Sequence, residues 1–94
     1  MSWLEPTPHP GDSALAGCML ALLAKRGATA SACPSEVARA WSPAGWFHHM
    51  AAVRRVAAEL ASQGRLDLLQ RGELLRPGQP YKGPIRLRWR NPDS

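Results

Sequence analysis

The sequence predicts an α+β fold, mostly helical: a winged helix-turn-helix in which a three-helix bundle is closed by a C-terminal two-stranded β-hairpin wing. Three observations predict it. Two segments, "DSALAGCMLALLAKRG" and "SPAGWFHHMAAVRRVAAELASQG", carry apolar residues at helical spacing between start and stop signals. A short proline-led segment, "CPSEVARAW", stands between them. After Gly64 the period drops to two, in "RLDLLQ" and again in "IRLRWR", with a Gly- and Pro-rich stretch separating the two runs.

The first helix starts at Asp12 or Ser13, either of which can cap by accepting a backbone N–H. Leu15, Met19 and Leu22, flanked by Cys18 and Leu23, form its buried stripe. Lys25 and Arg26 suit the negative end of the helix dipole, and Gly27 stops it. Pro34 opens a short second helix, with Glu36 in its first turn and Val37, Ala38 and Trp41 inward. Ser42-Pro43 repeats the start signal, and a third helix is expected from about Pro43 to Gln63. Its core side is Trp46, Met50, Val53, Ala57 and Leu60, while His48, Ala52, Arg55 and Glu59 point the other way. In the strands, Leu66 and Leu68 face one side, Arg65 and Asp67 the other. Ile85, Leu87 and Trp89 turn inward and Arg86, Arg88 and Arg90 outward. "RGELLRPGQPYKGP" reads as one long turn.

The 94 residues make one domain, over 12–90, with a flexible arm over 1–11 and a tail over 91–94. No run approaches the roughly 20 apolar residues of a membrane span. "MSWLEPTPHPGD" has neither the basic start nor the apolar run of a signal peptide. A reduced, cytoplasmic setting for Cys18 and Cys33 follows as an expectation. The net charge of +5 resides entirely in residues 65–90, which hold seven basic residues against Asp67 and Glu73. Such a concentration suits a polyanion or an acidic protein surface.

The segments "CPSEVARAW", "SPAGW…M..VRRVAAELASQGRLDLLQRG" and "KGPIRLR" together resemble the bacterial DUF3253 family, over roughly Ser13 to Arg90. The family pattern falls here on Cys33, Pro34, Ser35, Glu36, Val37, Trp46, Met50, Arg54, Gly64, Gly72, Gly83, Pro84 and Arg86. The resemblance implies a winged-helix-like fold and no established activity. The chain departs from the pattern at "FHH" after Trp46, so the resemblance assigns no binding role to His48 or His49. Glu36 and Arg54, both in the pattern, are expected to pair and orient helices two and three.

Catalytic and metal chemistry find little support. Cys33 precedes a helix start, where a thiolate is favoured, but no basic residue adjoins it in sequence, and a small, half-buried residue shaping a turn is the preferred reading. Cys18, Cys33, His48 and His49 lack the close paired spacing of zinc ligands, and adjacent histidines on a helix diverge by about 100°. Arg55 and Glu59 read as a surface ion pair of the third helix. No phosphate loop, nucleophile elbow or carboxylate pair occurs. The sequence therefore predicts no enzyme, no cofactor, no metal, no small-molecule substrate and no membrane partner. It predicts a small stand-alone regulatory domain that binds nucleic acid, DNA before RNA, with weak sequence preference. His48, His49 and Arg55 would contribute from helix three, and Lys82, Arg86 and Arg88 from the hairpin. The alternative is a protein-interaction or assembly module of the same fold.

Overall fold

A computed structural model of the protein describes residues 11–27, 29–76 and 81–90. The expected arm, including Trp3 and His9, lies outside the described residues apart from Gly11, and the tail lies wholly outside them. The fold is α+β and mostly helical. The elements run α1 (Asp12–Arg26), β1 (Ser31–Ala32), α2 (Pro34–Trp41), a 3-10 turn (Trp46–His49), α3 (Met50–Ser62), β2 (Leu66–Gln70), β3 (Glu73–Leu75) and β4 (Arg86–Trp89).

The strands form one antiparallel sheet in the order β1-β4-β2-β3, not an isolated two-stranded hairpin. The expected pairing of β2 with β4 is present, with Leu68 opposite Leu87 and Asp67 opposite Arg88. Two further strands extend it. β1 pairs Ser31 with Arg88 and Ala32 with Leu87. β3 lies inside the segment read as one long turn, pairing Leu75 with Leu68. Arg71 and Gly72, both at positive φ (54° and 81°), make the two-residue link between β2 and β3. Positive φ at both central residues is the requirement of a type I′ hairpin turn, which favours Asn-Gly. An arginine in this region is strained, because its Cβ crowds the following carbonyl. Arg71→Asn is therefore expected to stabilise the domain by about 1 kcal/mol. Thermal melting should register this as a rise of roughly 5 °C.

The helices are bounded much as the sequence indicates. Gly27 receives the end of α1, its N–H bonded to the carbonyls of Leu23 and Ala24. The α3 end is a Schellman motif: Arg65 N donates to Leu60 O at 2.9 Å and Gly64 N to Ala61 O at 3.0 Å, with Gly64 at φ 74°. Two local readings change. The third helix does not begin at Pro43, because Pro43–Gly45 form a bend and turn ahead of the 3-10 segment. Gly11, not Asp12 or Ser13, occupies the α1 cap position, which freed Asp12 for a tertiary contact.

The core lies between the helices and the inner sheet face. Met19, Leu23, Val37, Val53 and Leu87 are fully enclosed, with Ile85 and Leu66 beside them. On α1 the buried stripe ends at Leu23; Leu22 is only half-buried. Trp46, Met50 and Trp89 are partly buried against the same core. Sheet alternation then dictates the outer face: Ser31, Asp67 and Arg88 form one row across it, and Arg86, Leu69 and Leu74 the next. Among the described residues, no helix is long and apolar enough to cross a membrane.

Candidate nucleic-acid interface

The six residues expected to bind nucleic acid occupy four separate places. His48 is exposed in the 3-10 turn, its ring 4.3 Å from that of the exposed Phe47. His49 and Arg55 lie together, half-buried, beside a shallow cavity of about 410 Å³ that Asp12 and Trp41 also line. Lys82 and Arg86 border a different cleft, at the start of β4. Arg88 lies on the outer sheet face next to Asp67.

Arg55 does not pair with Glu59. Its Nη2 donates to Asp12 Oδ1 at 2.7 Å, joining α3 to the first turn of α1. Its Nε, enclosed, has no hydrogen-bond acceptor among the described residues. The guanidinium is thus committed to the fold. The exposed arginine of this helix is its neighbour Arg54, which no described carboxylate engages; its exposed companions along the face are Ala51 and Ala58. The core side of the helix is as the sequence indicates, with Val53, Ala57 and Leu60 buried; the Asp12 contact that engages Arg55 spans 43 positions and leaves no local signal.

The expected Glu36–Arg54 pair does not form either. Glu36 Oε2 instead lies 2.5 Å from Arg26 Nη1, off the line of a hydrogen bond, and ties α2 to the end of α1. Arg39, exposed near the end of α2, rests its guanidinium 4.5 Å above the Trp46 ring.

On the sheet, Arg86 and Arg88 do point away from the core, as alternation requires. Both are anchored there. Arg88 Nη2 donates to Asp67 Oδ2 at 3.2 Å. Arg86 is held by neutral oxygens: its Nε donates to Ser31 Oγ at 2.6 Å and its Nη2 to the Ser31 carbonyl at 3.0 Å. Gln70 Nε2 donates to the Lys82 carbonyl, fixing the backbone while the Lys82 side chain stays exposed.

Cys33, extended at φ −85° and ψ 155°, occupies the cap position of α2. Burial alone would push its thiol up. The Ser35 hydroxyl 2.9 Å away, the Glu36 backbone N–H and the charge of Arg86 outweigh this and bring it below the ordinary thiol value, against the opposing charge of Glu36. Among the described residues, no three His, Cys, Asp or Glu side chains come close enough to hold a metal ion.

A family model described as "Protein of unknown function (DUF3253)" matches residues 12–90. No curated protein matches the chain.

Proposed function

The chain belongs to the DUF3253 family, a membership that brings no activity with it, and from its own surface we propose that the domain is a winged helix binding duplex DNA with weak sequence preference. The element order supports this reading: helix, short strand, helix, helix, then three strands, with β1 lying beside β4. In such folds the third helix enters the major groove and the wing touches the backbone or minor groove. The carrying observation is the exposed Arg54 on α3, with Arg71 and Lys82 exposed around the wing.

The contact set differs from the one the sequence suggests. Arg54, with His48 and Arg39, serves the helical side; Arg71 and Lys82 serve the wing. Arg55 and Arg88 are engaged by Asp12 and Asp67. Arg54 can read guanine by paired hydrogen bonds, whereas Ala51 and Ala58 offer at most contact with a thymine methyl. Affinity therefore comes mainly from phosphates and falls steeply with salt.

Titration of random-sequence duplex DNA, followed by fluorescence anisotropy at two salt concentrations, tests this. Binding that weakens by an order of magnitude or more over a fourfold rise in salt is expected for several phosphate contacts. A protein-interaction module is the second reading, in which the exposed apolar side chains are Phe47 and Leu74, 60% and 59% exposed on separate elements. No DNA binding at low salt, together with a mass that rises with concentration, would select it.

A further inference from the structure

Between the Ser31–Cys33 segment, the β2–β3 turn and the approach to β4 lies a cleft of about 490 Å³. Its charged lining consists of Arg71, Lys82 and Arg86, with no carboxylate among the lining residues. Arg86 gives the cleft its character. Arg26, Arg55 and Arg88 each face a carboxylate, so their charges are locally balanced. Arg86 is instead fixed by the hydroxyl and carbonyl of Ser31, which orient the guanidinium without neutralising it. The cleft thus presents a preset cation that forms no ion pair among the described residues, and Cys33 also lines it.

We propose that this cleft is a binding site for small anionic molecules, and that Cys33 undergoes thiol–disulfide exchange with those that are low-molecular-weight anionic disulfides. The cations draw in the carboxylates of the reagent and hold its sulfurs beside the thiol. The Cys33 proton passes to solvent. The thiolate then attacks one sulfur of the disulfide; a Cys33–S–S–R bond forms as the R–S–S–R bond breaks, and R–S⁻ leaves. No other oxidant is needed. The lowered thiol value reported above increases the attacking fraction near neutral pH. The lowering comes chiefly from the Ser35 hydroxyl and the Glu36 N–H; the charge of Glu36, itself held by Arg26, opposes it more strongly than that of Arg86 favours it. The cleft shares Arg71 and Lys82 with the proposed wing contacts, but its test involves no DNA, so the two readings fail separately.

The test compares oxidised glutathione, an anion, with cystamine, a dication, on the whole protein. Peptide mass mapping reads Cys33 and Cys18 separately, and each rate is normalised to that of free cysteine with the same reagent. Glutathione should modify Cys33 about fivefold faster than cystamine at low salt, as expected for one effective unit charge at contact distance in water. The preference should shrink in high salt and should not extend to Cys18. Lys82→Gln, in a side chain exposed to solvent, and Arg86→Gln should each reduce the preference about twofold or more. Lys82→Gln guards against the chance that Arg86→Gln disturbs β1 through Ser31. Equal normalised rates for the two reagents, or an equal preference at Cys18, would overturn the proposal.

Discussion

Replacing Leu87 by alanine is expected to lower stability by about 3 kcal/mol and the melting temperature by about 15 °C. Leu87 is wholly enclosed, at the centre of β4. It stands opposite Ala32 of β1 and Leu68 of β2, on the sheet face that α1 packs against. Truncation removes the transfer energy of the lost methyl groups and leaves a void that three elements would have to move to fill. Ala32 is already too small to help. Arg86, one residue earlier and on the opposite face, provides the control: Arg86→Ala loses exposed hydrogen bonds and should cost about 1 kcal/mol or less. Thermal unfolding of the two variants measures the difference. Similar losses for both would show that β4 does not present Leu87 to the core.

Charge reversal at Arg54 is the second large effect. Arg54→Glu should weaken random duplex binding by about tenfold to a hundredfold and lower the salt slope by about one, with little change in melting temperature. Arg55→Ala should do the opposite. It breaks the 2.7 Å contact with Asp12, whose side chain is only 13% exposed, and should cost about 1 kcal/mol of stability. Its effect on DNA affinity should be small. Anisotropy titrations and thermal melts of the two variants separate the roles of these adjacent arginines. Affinity lost on Arg55→Ala and retained on Arg54→Glu would exchange the roles and remove the support for the helical contact set.

The helices and the principal strands were legible because long periodic segments announce themselves. The change from helical spacing to alternation at Gly64 coincides with a Schellman end, and the alternation in "IRLRWR" assigned Leu87 and Arg86 to the correct faces. β1 and β3 were not legible. Two residues cannot display a period, and β3 is enclosed by the glycines and prolines that signal a turn. The 3-10 turn escaped for a related reason: Trp46 fits the spacing of a continued helix, and only the backbone shows the change. The candidate site was half legible. Outward arginines could be seen in the pattern, but their partners could not. Asp12, Ser31 and Asp67 reach Arg55, Arg86 and Arg88 across 43, 55 and 21 positions. Those contacts decide which guanidinium groups remain available to a ligand.

The position of β4 between β1 and β2 governs how the chain can mature. β1 has its ladder partner some 55 residues downstream, so during synthesis it waits without one until almost the whole domain has been made. Ring closure over that distance is entropically slow, which places joining of β1 to the rest late in the folding sequence. A nascent chain halted before Arg86 lacks the strand that Ala32 and Leu68 both pair with.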